Sequence, residues 1–535
     1  MTRRSQIALT ATLTAAIVGA AFRQGQAQDQ APAAQAGGRG GGAGQGQAQA
    51  AGGGGRGAYE PTLWLPDDQF LRWPFTDLPY AKIDGFKIKE YINQITAISR
   101  KSRDDGNQYW GRIAGTPYDQ MTTDWVIAQY RRLGLEQVRK HEFTLPPQWF
   151  PTSWEVSVSG NGTTVPIKTA FPLYASVGTP DGKPVSWEPV WVGTGMEADF
   201  LGRDVRGKAV IVYGFPDPGG RENTATTFGA VARADRLGAA AVFEILGIPG
   251  NVTNEPAGGA TMAPAKIPVF VVGNQDGAAI RDMIEKGYAP RITTRLQIDM
   301  RTGLKSAEVF GVLPGMTDEQ VAVMAHTDSF FEGAMDNASG VATNVALAEY
   351  YAGIPKKNRH RTMTFFTTSA HHSPSGNDGG IRWVAANMKD MLAKTAVLVN
   401  CEHTAQTATF VIGGSFVASN TVSARRWFVG GSDQLKAIVT KAFHDYGIAL
   451  YSRPEPRPGG ELGPMSTEAP SFHIIDHTVY HTDLDTLNAV PAYGLEQSAR
   501  AFAKIIDEVN KLPLTQLRVN IPTAPTTTGS QNRRN

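Results

Sequence analysis

The stretch that decides the fold runs from Glu319 to Gly353, "EQVAVMAHTDSFFEGAMDNASGVATNVALAEYYAG". Its first part, "EQVAVMAH", is a short apolar run ending on His326, the pattern of a strand buried on both faces. Its last part, "NASGVATNVALAEYYAG", carries apolar residues at helical spacing and closes on a glycine. Between them His326, Asp328 and Asp336 fall where a strand gives way to a helix. Strand, polar loop and helix in this order predict one unit of a parallel sheet.

The alternation continues outward. "TMTFFTTSA" (362–370), "AVLVNCEH" (396–403) and "APSFHII" (469–475) read as strands. "IRWVAANMKDML", "LKAIVTKAFHDYG" and "GLEQSARAFAKIIDEVN" read as helices. The expected class is therefore α/β, with a mostly parallel (mixed) sheet sandwiched by helices. In such folds ligands gather at the carboxyl ends of the strands. The polar residues cluster there: His326 and Asp328 after one strand, His371 and His372 after the next, Glu402 and His403 after a third, and His481 near the last. All ten histidines except His141 lie between His326 and His481. Neutral imidazoles with carboxylates form the donor set that zinc prefers.

Residues 151–300 have a different texture. "KAVIVYGF", "AAVFEIL" and "IPVFVVG" read as buried strands, and "FGAVARADRLGA" and "QDGAAIRDMIEKG" as helices. "DVRGKAVIVYG" and the small-residue run before "AAVF" resemble a protease-associated domain, which implies a β-rich α+β insert without chemistry of its own. The expected organisation is thus 58–150 and 301–515 for the main domain, split by an insert over 151–300.

The ends read differently again. "MTRRSQIALTATLTAAIVGAAFRQGQAQ" has a basic start, an apolar stretch and a small-residue end, which predicts an export signal over 1–28, by the general or the twin-arginine route. Residues 29–57, nearly all Gly, Ala, Gln and Arg, and 516–535 are expected to be disordered. The expected location is periplasmic or secreted, without a membrane anchor. The single cysteine, Cys401, excludes an internal disulfide and is expected to be a buried, inert thiol. A net charge of +2 gives no electrostatic case for nucleic acid. There is no G-x-S-x-G elbow and no H-E-x-x-H helix.

"AHTDSFFEGAMDNASGVA" and "VYHTDLDTL" resemble the motifs of the co-catalytic di-zinc exopeptidases, and "GGELGPMSTEAPSFHII" loosely matches the segment before the second. That family includes secreted zinc aminopeptidases, glutamate carboxypeptidase II, glutaminyl cyclases and the transferrin receptor. The resemblance implies a zinc-exopeptidase fold and a zinc-dependent metallopeptidase with one or two ions, acting on a peptide or small amide. It assigns His326, Asp336 (bridging), His372, Glu402 and His481 as metal ligands, with His403 an alternative to Glu402. It makes Asp328 the partner that orients His326, and Tyr480 a donor to the developing oxyanion. Where the family carries two adjacent glutamates, a base and a ligand, this chain has His371 and His372. His371 is then the candidate base, with Glu332 as a fallback. A glutaminyl-cyclase-like transferase with one zinc and a non-catalytic receptor-like relative are the alternatives. Oligomeric state is not legible.

Overall fold

Seven strands make the sheet on which these residues converge. In spatial order they are Glu136–Thr144, Lys305–Leu313, Arg361–Thr368, Thr317–His326, Thr395–Asn400, Ser471–Ile475 and Arg426–Gly430. The four middle strands run parallel, and the pairings outside them are antiparallel. The computed structural model describes residues 75–215, 229–255, 265–412, 415–455, 460–475 and 478–522. The expected export signal and the 29–57 tether lie outside the described residues, as do residues 523–535 of the expected tail. The first part of that tail is packed instead: Leu517 is buried at the end of the helix Leu514–Leu517, and Arg518 donates to the carbonyls of Leu392 and Thr395. All described residues fall in the compact unit that runs from Glu60 to the end.

The strand ending at His326 shows why its sequence reads as continuously apolar. Val321, Val323 and Ala325 face one core, shared with the helices Gly85–Asp104, Ser339–Ala352 and Ala492–Val509. Ala322 and Met324 face the other, against Val384 and Leu392 from the opposite layer. With apolar cover on both faces, alternate residues have no solvent side. The helix after Asp336 is buried at every position from Ser339 to Ala348, which explains its lack of a polar stripe. By contrast Gly85–Asp104 buries Ile88, Tyr91, Ile92, Ile95 and Ile98 on one face, and its first turn is capped by the side chain of Asp84.

Residues 148–301 form two further sheets. One has the order Thr163–Pro166, Gln148–Gly160, Arg291–Arg301, Val185–Trp187. The other has the order Phe171–Pro172, Val269–Val272, Ala241–Leu246, Ala209–Gly214, Pro189–Trp191. The strands and helices read from the sequence in this region are present. The long antiparallel pair Gln148–Gly160 and Arg291–Arg301, which joins the two ends of the region, adds to them. Phe330 and Phe331, from the loop after His326, pack into the same core as Phe171, Trp154 and Phe243.

Candidate metal centre

Asp336 stands at the centre of the cluster. Its Oδ1 lies 3.2 Å from Nε2 of His326 and 3.2 Å from Nε2 of His403. Its Oδ2 lies 3.3 Å from Nε2 of His372 and 3.2 Å from Nε2 of His481. Each oxygen thus faces two imidazole nitrogens, and the four rings come from the ends of different strands or the loops after them. His371 completes the group: one ring nitrogen each from His326, His371 and His372 lie within 4.8 Å of one another.

These atoms are prepared for something the protein does not supply. Nε2 of His326, His372 and His481 and Oδ2 of Asp336 are buried and make no hydrogen bond among the described residues. Each such atom costs about 1–3 kcal/mol when left unsatisfied. Several converging on one point are relieved together by a divalent cation, and an imidazole–carboxylate set suits zinc. The residues fit two ions sharing Asp336: His326 and His403 could hold one, His372 and His481 the other.

The place of Glu402 is a correction. Its Oε2 accepts from Nδ2 of Asn400 at 2.7 Å and lies 3.3 Å from Nδ1 of His473, on the neighbouring strand. It is His403, one residue on, that meets Asp336. The chain turns there: His403 has φ of 45°, in the left-handed region, so the alternation of the preceding strand does not extend to it. Asn337 fixes this turn, its Oδ1 accepting from the amides of His403 at 3.3 Å and Gly340 at 3.1 Å.

Asp328 orients more than the expected His326. Its carboxylate accepts from the amides of His371 at 3.0 Å and His372 at 2.9 Å, which sets the path of both residues. Nδ1 of His326 has the backbone carbonyl of Asp328 at 3.2 Å, with the carboxylate farther at 3.6 Å. Asp485 does the same for the central residue, accepting from the amides of Met335 at 2.6 Å and Asp336 at 3.0 Å. Glu332, the fallback base, is engaged elsewhere, by Arg100 at 3.0 Å and the amide of Leu487 at 2.9 Å. Tyr480 stacks on His481 with centroids 3.7 Å apart and lies 5.4 Å from the ring of His403. Cys401 is buried as expected, and burial pushes its thiol up.

The electrostatics follow from burial and proximity. Burial alone would raise the pKa of Asp336, but His372, His326 and His403 hold it well below the usual carboxylate range. Burial, then the charges of His326 and His372, push His371 down to about 3, so its ring is neutral. Burial opposes protonation of His481, yet Asp336 and Glu255 together raise it to about 9.

Three supporting residues escaped the sequence reading. Arg112 is fully buried and donates to the carbonyls of Thr327 (2.9 Å), Glu332 (3.0 Å) and Gly333 (3.0 Å), clamping the loop between His326 and Asp336. Glu461 is buried against Thr368, and its Oε2 has no hydrogen bond among the described residues. Glu255 lies 2.9 Å from Nδ1 of His481. Arg112 and Glu255 carry no local motif, and Glu461 lies inside the loosely matching "GGELGPM" segment with nothing in the sequence to set it apart, so the fold reveals their places.

Residues 308–506 match the model of Peptidase family M28. A maize (Zea mays) protein named "Probable glutamate carboxypeptidase VP8" is 23% identical over 71% of this chain. The chain spans 61% of the length of that curated relative. Among solved structures, a Peptidase M28 precursor from Shewanella amazonensis superposes with a TM-score of 0.64 at 19% identity, covering 84% of this chain and 98% of its own. A zinc aminopeptidase from Bacillus subtilis gives a TM-score of 0.57 at 18% identity, over 82% and 99%. These two show a shared fold. With the family match over 308–506, they bear out the resemblance read from the motifs: the chain is akin to the co-catalytic zinc exopeptidases.

Proposed function

We propose that this chain is an exported, zinc-dependent exopeptidase of the aminopeptidase type that hydrolyses a peptide or small amide. One observation carries the two-metal reading: each oxygen of Asp336 is flanked by two imidazole nitrogens, and Nε2 of His326, His372 and His481 and Oδ2 of Asp336 make no hydrogen bond among the described residues. The family match supports the reaction class. Zinc bound there would supply Lewis acidity and an acidified water as nucleophile.

The chain's own residues do the rest. Asp328 and Asp485 fix the backbone that presents His371, His372 and Asp336. His371 stands where the motif of the resembled family has its base, and it is the candidate acceptor for the proton the attacking water gives up. Tyr480, whose ring lies 5.4 Å from that of His403, is the residue the motif assigns to the negative charge that develops on the substrate oxygen. The 151–300 region plays the part of a protease-associated insert bordering the substrate. Export rests on the first 28 residues; no helix among the described residues is long and apolar enough to cross a membrane.

The test is zinc analysis paired with hydrolysis of aminoacyl anilides. Two zinc ions per chain and release of the N-terminal residue are expected, with each of His403→Ala and His481→Ala losing one ion. One ion together with cyclisation of an N-terminal glutamine would favour the transferase alternative. Tightly held metal with no turnover of any aminoacyl amide would favour the binding-protein alternative.

A further inference from the structure

We propose that Glu255 is a positioning residue through which the inserted region builds half of the metal site. Glu255 lies beyond the strand Ala241–Leu246 of the five-stranded sheet, 226 residues from the histidine it meets. Its Oε2 accepts from Nδ1 of His481 at 2.9 Å. Both side chains are buried, with relative exposures of 3% and 2%.

The carboxylate does not act alone. The stretch Thr253–Glu255 grips the backbone of residues 481–483 at every step. The amide of Glu255 donates to the carbonyl of His481 at 2.9 Å, and Nδ2 of Asn254 donates to the same carbonyl at 3.1 Å. The amide of Asp483 donates to the carbonyl of Thr253 at 3.1 Å, and the amide of Thr253 donates to Oδ1 of Asp483 at 3.2 Å. Asn254 and Thr482 form an antiparallel bridge. His481 itself has φ of 53°, a conformation that a non-glycine residue keeps only where its surroundings hold it.

The consequence is chemical. With its Nδ1–H given to Glu255, the imidazole of His481 aims Nε2, the atom at which a cation would replace a proton, toward Oδ2 of Asp336, 3.2 Å away. A carboxylate behind a ligating histidine fixes both tautomer and ring orientation, and its loss weakens metal binding by about 10- to 100-fold. The insert is therefore a structural part of the His372–His481 half of the site.

The proposal rests on the two-metal reading, and the test separates the two. Zinc is titrated calorimetrically into apo wild type, Glu255→Ala and Glu255→Gln. Glu255→Ala should bind one equivalent with wild-type affinity and the other about 10- to 100-fold more weakly. The unaltered equivalent shows that the variant is folded. Glu255→Gln, which keeps an acceptor oxygen, should recover most of the loss. Two equivalents of wild-type affinity in Glu255→Ala overturn the proposal and leave the two-metal reading standing. Weakening of both equivalents alike also overturns it, since Glu255 would then support the whole fold. Fewer than two equivalents in the wild type remove the two-metal reading itself.

Discussion

At the residue scale the site consists of imidazoles inside and carboxylates behind them. Asp336 meets four imidazoles at the centre, while Asp328, Glu255 and Asp485 grip the loops and rings that surround it. This predicts unequal costs for neighbouring substitutions. His403→Ala should lose one zinc equivalent, whereas Glu402→Ala should keep both, as measured by elemental analysis; the reverse result would restore Glu402 as the ligand. A second prediction concerns Glu308, a buried carboxyl beside the amide of Gly380, which burial raises to about 8. Because its folded pKa exceeds the unfolded one, the protonated form favours folding below about pH 4.5, and that advantage disappears as pH rises through 8. Glu308→Gln removes the titration. It should match wild type near pH 5 and exceed it by at least ~1 kcal/mol at pH 9 in urea unfolding. A constant difference across that range would show that Glu308 does not titrate as stated.

At the element scale the loops after the parallel strands are held by a few buried contacts. Arg112 satisfies three carbonyls of the 327–333 loop. Arg112→Met should cost at least ~3 kcal/mol in denaturant unfolding, since each orphaned carbonyl is worth about 1–3 kcal/mol. Gly340 lies where the helix Ser339–Ala352 meets the end of the strand Thr395–Asn400. A methyl group there would collide with the carbonyl of Cys401 and the side chain of Asn337. Gly340→Ala should therefore destabilise by about 1–3 kcal/mol, and because Asn337 positions His403, it should also weaken zinc binding. Unchanged stability would mean that the contact relaxes freely. The strands, their parallel order and the convergence of His326, His372 and His481 on Asp336 were legible because doubly buried strands leave long apolar runs that end abruptly in polar residues. The meeting of His403, rather than Glu402, with Asp336 was not. The strand's period stops at Asn400, and the left-handed turn at His403 exchanges the places of Glu402 and its neighbour.

At the scale of the whole molecule, the sequence leads one to expect an insert over 151–300 within a main domain, and residues of both stretches meet beside the site. Phe330 and Phe331 enter the core of the 148–301 region, and Thr253–Glu255 return to His481. A reading made segment by segment cannot see either contact, because the partners are far apart in the chain. This arrangement predicts that chelation lowers the thermal midpoint and that added zinc restores it, since a ligand bound only to the folded state stabilises it by about 4 kcal/mol at a thousandfold excess over its Kd. Asp336→Asn should show no such response. The most direct measurement is anomalous diffraction at the zinc edge on crystals grown with zinc. The account predicts two peaks about 3.5–4 Å apart, one against His326 and His403, the other against His372 and His481, with Asp336 between them. A single peak, or a peak against Glu402, would contradict it.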